Sequence, residues 1–448
     1  MDFPFSIGAR DLLTKLTDAG YAACAVGGCV RDFLHGVPPH DLDLATSATP
    51  AQMQAVFSKE RVIETGLKHG TLTVLSHGEP FEITTFRVDG AYTDGRHPDT
   101  VHFTKQLTDD LSRRDFTINA MAYTLDGQLV DPFGGQADLA QKRLRCVGDA
   151  QTRFTEDALR ILRLLRFASV LQFQIDPATE EAAKQCAPRL AMVSVERIAT
   201  ELCKLLCGAD VRRILCGYPQ ILCEILPELS PLYGFDQHNP HHCFDLMTHT
   251  AVVTAQVPPE KVLRLAALFH DIGKPATFSI GADGYGHFYQ HAARSAEMAD
   301  AILRRLHTDN ATRERVTLLI RHHDGVIEPT PVSVRRKLAR MGEEAFRQLL
   351  QLQRADNLGL APQYHSRQAD YDRLDALLAQ VLAQKPCISS RSLAINGDTL
   401  QSVGFARGKR IGIILSDLLE QVLTEALPNQ PEPLLAYALQ KYGAERDN

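Results

Sequence analysis

The chain has 448 residues, of which 44% are hydrophobic and 23% charged, with 29 Gly, 23 Pro and no Trp. This composition excludes collagen-like, rod-like and long disordered chains, and the length suffices for three or four domains whose cores need no disulfide or metal to fold. The net charge of −6, from 48 basic and 54 acidic residues, excludes a generally sticky polycation but leaves room for a local basic face, which phosphate contact requires. The opening MDFPFSIGARDLLTKL has no basic segment running into an apolar core, so it reads as no signal peptide. No apolar run approaches the ~20 residues of a membrane helix. The ten Cys include no CxxC pair, which points to reduced thiols in a cytoplasmic protein.

Residues 1–148 hold 14 of the 29 Gly and place their apolar residues in short β-like runs at 21–26, 70–75, 80–88 and 128–130. Helical patterns interrupt these runs at 9–19 and 50–57, the second with Thr49 as N-cap. The expectation is a small mixed sheet with helices. Residues 149–207 contain no Gly, and DALRILRLLRFASVL sets Leu159, Leu162, Leu165 and Ala168 on one helical row with Arg between them. That change of pattern puts a boundary near residue 140. The stretch 141–166 is locally basic, with seven Lys or Arg against three acids. Residues 238–323 then concentrate ten of the seventeen His in a helical unit, and a Pro-containing stretch near 385–387 precedes a last helical segment ending LLAYALQKY.

The most informative stretch is AVGGCVRDFLHG followed by DLDLAT. Val26 ends a strand, and Gly27-Gly28 would let backbone N–H groups approach a polyphosphate without obstruction by Cβ. Arg31 and Asp32 follow at helical spacing. Asp41 and Asp43 lie at i and i+2, which on a strand points both carboxylates to one face. Paired carboxylates suit Mg²⁺, which takes oxygen ligands together with substrate phosphates. In a two-ion arrangement one ion activates an attacking hydroxyl and the other holds the leaving pyrophosphate. Either motif alone reads as a plain turn or a solvated strand end; together, 13 residues apart, they point to nucleotidyl transfer.

GGCVRDFLHG and HDLDLATSATP resemble the head of class II tRNA nucleotidyltransferases, the CCA-adding enzymes of the polymerase-β-like superfamily. The resemblance continues in order through HGTLTVL, EITTFR, DGRHPDTVHF, RRDFTINAMA, DPFGGQADL, FTEDALRILRLLRF and SVERIATEL, about 200 residues, and NGDTLQSVGFARGKRIGIILSDLLEQVLTEALPNQ is similar to the family's C-terminal segment. It implies that Gly28, Arg31 and Arg114 bind the nucleotide and its triphosphate. It also implies that EDxxR, here Glu156 to Arg160, is a protein template for the incoming base. Chemistry agrees. Asp157 and Arg160, three apart on an expected helix, would be neighbours. A carboxylate accepts from the amino group of cytosine or adenine, and a guanidinium donates to the adjacent ring nitrogen. Uracil and guanine offer a carbonyl oxygen in place of that amino group.

The family pattern places Arg163 and Arg166 in the same pocket. At ~100° per residue Arg166 is turned away from Asp157, so it either reaches phosphates through its long side chain or serves helix packing. Glu82 of EITTFR is the candidate third carboxylate near the metals and Asp115 the alternative; either could instead orient an Arg neighbour. Glu196, Arg197 and Glu201 match the family's bracing helix. The segment 94–98 (DGRHP), inside a loop that helps the switch from C to A addition in the family, carries His97 where the usual form has a second Arg; its presence favours full CCA addition.

FHDIGKP contains the adjacent pair His270-Asp271. With His249 upstream and Asp356 downstream it resembles the HD superfamily of metal-dependent phosphohydrolases, which implies His249, His270, Asp271 and Asp356 as metal ligands. His291 and either His322 or His323 could serve a second metal. Imidazole mixed with carboxylate suits Mn, Fe, Ni or Zn.

The resulting expectation is an α+β protein with a polymerase-β-like head (1–140), an all-α neck (141–225), an HD-type domain (226–360) and an α-helical tail (361–448). Its activity would be CCA addition to tRNA 3′ ends from CTP and ATP with Mg²⁺, Asp41, Asp43 and Glu82 being the catalytic carboxylates, and with no membrane partner. Alternatives are a bacterial poly(A) polymerase, disfavoured because ETGLKHGTL stands where that family has G-[KR]-[KR]-F, a partial CC- or A-adding enzyme, and an HD phosphohydrolase with an inactive head.

Overall fold

The computed structural model describes residues 3–39, 41–67, 70–90 and 100–443. The chain forms two compact units, one of Met1–Ser230 with Arg304–Thr308 and the other of Pro231–Leu303 with Asp309–Asn448. The architecture is α+β.

In the first unit α1 (Ile7–Asp18) starts at Ser6, whose Oγ accepts the Ala9 N–H, and it buries Leu12, Leu13 and Leu16. Then come β1 (Ala23–Val26), α2 (Gly28–Leu34), β2 (Leu44–Thr46), α3 (Pro50–Val56), β3 (Arg61–Gly66), β4 (Thr71–Ser76), β5 (Glu79–Thr85), β6 (Arg87–Asp89), β7 (Val101–Phe103), α4 (Leu107–Ser112), β8 (Ala122–Thr124), β9 (Leu129–Val130) and α5 (Gly135–Ala140). Among the described residues the main sheet runs β3-β4-β5-β2-β1-β8-β9. It is mixed: β2 pairs with β5 in parallel, the other neighbours antiparallel. The small side chains of β1, Ala-Cys-Ala-Val, are buried throughout, as suits a central strand. On β4 Leu72 and Val74 alternate with half-buried Thr71 and Thr73.

Two local expectations are corrected. The apolar run 80–88 is not one strand: buried Phe86 breaks it, its N–H donating to Thr46 O and its carbonyl accepting from Thr104 N–H, so β5 and β6 join different sheets. Asp41 and Asp43 lie just before β2, not on it, although Asp43 is held to β1 by the Val26 N–H donating to its carbonyl at 3.0 Å.

The rest of this unit is helical apart from a parallel pair of two-residue strands, β10 (Arg143–Leu144) and β11 (Gln174–Ile175). Its helices are α6 (Ala150–Glu156), α7 (Leu159–Leu171), α8 (Pro177–Cys186), α9 (Val195–Leu206), α10 (Val211–Gly217) and α11 (Pro219–Ile225). Helix α7 is buried along most of its length, from Leu159 to Ala168, while α9 buries Ile198, Leu202, Leu205 and Leu206 on one face. Ser169 Oγ donates to Leu205 O at 2.8 Å, tying the two helices. This packing brings Arg197 and Glu201 of α9 against the polar side of α7.

The second unit contains α12 (Leu246–Gln256), α13 (Lys261–Phe269), α14 (Lys274–Thr277), a hairpin of β12 (Phe278–Ile280) and β13 (Gly286–Phe288), α15 (His291–Arg305), α16 (Asn310–His322), α17 (Pro331–Leu358, kinked at Gly342) and α18 (Gln368–Ala383). The last helices, α19 (Gly397–Ser402), α20 (Lys409–Leu423) and α21 (Pro431–Tyr442), enclose a core of Leu400, Phe405, Ile414, Leu418 and Leu434. Among the described residues no helix is long and apolar enough to cross a membrane.

Candidate active site and metal centre

The head of the first unit holds a cavity of about 480 Å³ lined by Gly27, Gly28, Arg31, Asp43, Arg114, Asp157, Arg160, Arg163 and Arg166, together with Arg113, Asp115, Asn119 and Arg197. Six arginines and one histidine-free wall of backbone make it a place for an anion. Gly27, between β1 and α2, has φ +79°, and a Cβ there would lie 2.8 Å from Arg114 Nη1. Glycine is therefore required twice over: for the backbone conformation and for the guanidinium beside it. Arg31 donates to Asp32 Oδ1 at 2.8 Å and to Asn119 Oδ1 at 2.7 Å, which fixes it at the cavity wall.

Asp43 lines this cavity and also a second one of about 730 Å³ that contains Asp41 and Glu82. Glu82 on β5 comes one residue before Ile83, the partner of Leu44, so β2–β5 pairing sets it alongside Asp43. The Asp43 carboxyl is pushed above the usual range by partial burial, and Glu82 and Asp41 add repulsion against the opposing pull of Arg114. Converging negative charge of this kind fits a divalent cation with oxygen ligands. Among the described residues these three carboxylates do not close to within 4.8 Å as a set, unlike the histidine cluster below.

Asp115, the alternative third carboxylate, is engaged elsewhere. It accepts from Arg163 at 2.6 and 2.8 Å, from Asn119 at 3.0 Å and from the Phe116 N–H. Burial works against its charge, but Arg163 and these hydrogen bonds outweigh it and hold its pKa down to about 2.

The expected continuous helix through Asp157 and Arg160 is not present. Asp157 ends α6 with φ −144° and ψ 102°, its Oδ1 accepts the Leu159 N–H at 3.1 Å, and α7 restarts at Leu159. A carboxylate that caps its own chain two residues on competes with the helix, which accounts for the break. Asp157 and Arg160 thus make no pair with each other, yet both line the cavity. Arg197 Nη2 donates to Asp157 Oδ2 at 2.7 Å, while Arg160 is held by Glu156 at 2.6 Å and by the carbonyls of Arg153 and Arg113. Arg166 both lines the cavity and packs: its guanidinium lies 2.7 Å from Glu201 and 3.9 Å from the centre of the Phe167 ring. Glu196, on the same helix as Arg197 and Glu201, is exposed. The segment 94–98 lies outside the described residues.

Two residues here were not singled out in the sequence. Buried Asp110 binds Arg113 at 2.6 Å and Arg114 at 3.3 Å, and Asn119 holds both Arg31 and Asp115. The spacing of Asp110 from RRD, three and four residues, was the available signal; for Asn119 there was none, because its partners are remote in sequence.

In the second unit, His249, His270, Asp271 and Asp356 come together, and His291 and His323 join through Asp271. His249 Nε2 lies 3.0 Å from Asp356 and 3.5 Å from Asp271, and His270 Nε2 lies 3.2 Å from Asp271. The other Asp271 oxygen lies 3.3 Å from His291 Nε2 and 3.5 Å from His323 Nε2. His323, not His322, is therefore the sixth member. Each of the four imidazoles turns Nδ1 to a backbone carbonyl, of Gly359, Ala267, Phe288 and Ile320 respectively, at 3.2, 2.7, 2.8 and 2.6 Å. A proton on Nδ1 leaves Nε2 as the inward lone pair, the orientation of a metal ligand. The Nε2 atoms of His249 and His270 are buried without a hydrogen bond. Burial disfavours an imidazolium at His270, yet Asp271 and Asp356 lift its pKa to about 10, so the cluster attracts positive charge. Residues and orientation fit a divalent metal. Gly359 packs on this site, since a Cβ there would lie 2.8 Å from His249 Nδ1. Lys274, at 2.7 Å from Asp271, was also not foreseen as part of the site.

Comparison with known proteins agrees with this division. The poly A polymerase head domain matches residues 23–145, a probable RNA and SrmB-binding site of polymerase A matches 172–230, and an HD domain matches 241–361. Fold and site together define a nucleotidyltransferase with a polymerase-β-like head and an HD domain. The chain is 34% identical over 433 residues to the CCA-adding enzyme of Lacticaseibacillus paracasei, covering 96% of this chain and 95% of that protein, and it belongs to the family of CCA-adding enzymes. Over 200 residues it is 52% identical to the CCA-adding enzyme of Leuconostoc citreum, a match spanning 45% of this chain and about half, 49%, of that relative. A solved structure, the Bacillus stearothermophilus CCA-adding enzyme in complex with CTP, has a TM-score of 0.75 and 30% identity, covering 98% and 97% of the two chains.

Proposed function

We propose that this protein adds C, C and A to the 3′ end of tRNA from CTP and ATP, releasing pyrophosphate at each step. The observation that carries this reading is the placement of Asp43 and the Asp157 and Arg160 side chains around one arginine-lined cavity. Gly27, Gly28, Arg31 and Arg114 bind the triphosphate, and Asp157 and Arg160 receive the base edge. Arg197 orients Asp157, while Arg163 and Arg166 add positive charge along the same wall. Asp41, Asp43 and Glu82 hold Mg²⁺; when bound there it supplies activation of the attacking hydroxyl and charge neutralisation at the leaving pyrophosphate. We assign residues 1–140 to the head, 141–225 to the neck, 226–360 to the HD-type domain and 361–448 to the tail, and we place the protein in the cytoplasm, in keeping with ten free cysteines. The test is incubation with tRNA ending at the base before CCA, supplying each labelled nucleoside triphosphate separately. CTP, then ATP, should be incorporated and UTP and GTP should not; incorporation of ATP alone would identify a poly(A) polymerase.

A second reading concerns the histidine cluster, favoured by its four inward Nε2 atoms. His249, His270, Asp271 and Asp356, with His291 and His323, hold Mn, Fe, Ni or Zn, which would supply a metal-bound nucleophile for phosphoester hydrolysis. Metal analysis of the purified protein and hydrolysis of a generic phosphoester after loading with each metal test it.

A further inference from the structure

The second cavity of the head, of about 730 Å³, has no part in the nucleotide site described above beyond sharing Asp43. Its volume falls in the ~300–1,000 Å³ range of small-ligand pockets. The catalytic carboxylates are divided between the two spaces: Asp41 and Glu82 line the second cavity alone, and Asp43 stands between them. All the groups assigned to triphosphate and base line the first cavity.

Phosphoryl displacement sets the attacking and leaving oxygens roughly in line across the phosphorus. The acceptor oxygen forms its bond to the α-phosphorus as the bond to the β-phosphate oxygen breaks; pyrophosphate departs, and the hydroxyl proton passes to a carboxylate of the cluster and on to water. With the nucleotide in the first cavity, the acceptor must reach the α-phosphorus from the opposite side of Asp43, where the second cavity lies.

We propose that this second cavity receives the 3′-terminal nucleotide of the RNA acceptor, and that it does so without reading the base. The proposal rests on the nucleotidyl-transfer reading above. Base indifference follows from the lining: Pro39, Leu42, Pro80 and Phe81 present apolar surface, and Ser6 and Glu79 are already joined to each other by a 3.1 Å hydrogen bond. No cation lines this cavity, and its wall contains no pair resembling Asp157 and Arg160. An apolar surface of this kind accepts any flat base, whereas a hydrogen-bonding pocket with partners left unpaired rejects the wrong one. The same enzyme can therefore extend an end whose last base changes as the reaction proceeds.

The test uses the full chain, tRNA acceptors and CTP. Pro80 is exposed on β5, so Pro80→Trp fills the cavity from a position whose folding is not at risk; Thr73→Phe fills it from the floor. Both variants should lose about 100-fold in kcat/KM for tRNA, the effect of misplacing a reacting group by about an ångström. Their affinity for CTP, measured by equilibrium binding, should be unchanged. If Thr73→Phe fails to fold, Pro80→Trp decides. Four wild-type acceptors differing only in the last base should be extended with kcat/KM within about tenfold; discrimination approaching ~10⁴ would mean that the cavity reads the base. Unchanged kcat/KM for tRNA in Pro80→Trp, or weakened CTP binding, would overturn the assignment. Failure of the wild-type protein to incorporate CTP would instead count against the nucleotidyl-transfer reading, so the two outcomes are separable.

Discussion

If Asp157 reads the base, Asp157→Ala should change what is added more than whether anything is added. The carboxylate has two oxygens: one accepts the Leu159 N–H at 3.1 Å, the other accepts from Arg197 at 2.7 Å. Each keeps a free lone pair, enough to accept from the amino group of cytosine or adenine. Removing the side chain deletes that acceptor and also the repulsion against the O4 carbonyl of uracil. One good base-edge contact is worth ~1–3 kcal/mol of discrimination, or roughly 5- to 150-fold. The preference for CTP over UTP, as a ratio of kcat/KM values on tRNA lacking CCA, should fall by that amount. The Asp41–Asp43 region and Gly27-Gly28 are remote from the substitution in sequence and unaltered, so turnover should persist at high nucleotide. Arg197→Ala removes the 2.7 Å restraint but leaves the acceptor, and its loss of selectivity should be the smaller of the two. A folded Asp157→Ala protein with wild-type preference for CTP over UTP would refute base reading at this position.

Asp43→Ala should reduce nucleotide addition about a thousandfold or more, several kcal/mol of transition-state stabilisation, while tRNA binding by filter assay persists because affinity comes from phosphate contacts elsewhere. Asp115 has a folded-state pKa of about 2 against an ordinary 3.8, so it contributes roughly 2 kcal/mol of stability that is fully present above the unfolded value and is lost as pH falls through the folded one. Asp115→Asn should therefore flatten the acid limb of unfolding between about pH 4 and 2, as followed by denaturant titration. The double substitution His270→Ala/Asp271→Ala should abolish bound divalent metal in elemental analysis and leave CTP incorporation largely unchanged.

The parts of this protein that were legible in its sequence are those written in contiguous spacing. Gly27-Gly28 ahead of a helical segment, the DxD pair and the HD dipeptide each mark a site directly, and the loss of Gly after residue 148 marks the change from sheet to helix. What spacing could not show is how a side chain competes with its own backbone. Residues 155–166 have an unbroken helical pattern, yet the Asp157 carboxylate takes the Leu159 N–H and the helix stops there. Nor could it resolve contacts that depend on tertiary packing. Asp115 and Glu82 were equivalent candidates in the sequence; the parallel pairing of β2 with β5 places one beside Asp43, and Arg163 on α7 takes the other. Likewise His322 and His323 are adjacent, and only the direction in which α16 ends points one of them at Asp271.

The four imidazoles of the second unit owe their orientation to main-chain carbonyls. Every residue type supplies such an oxygen, so Ala267, Phe288 and Ile320 can be exchanged for other residues that keep the local backbone without removing a partner from any histidine. The orienting layer of this site is then largely invisible to mutation, in contrast to the arginine-lined cavity, where Asp110, Asn119 and Glu201 act through side chains and each substitution releases a cation. Sequence drift around the histidines should be tolerated far more freely than drift around the arginines, and a library randomised at positions 267 and 320 would retain metal where one randomised at 110 and 119 loses nucleotide binding.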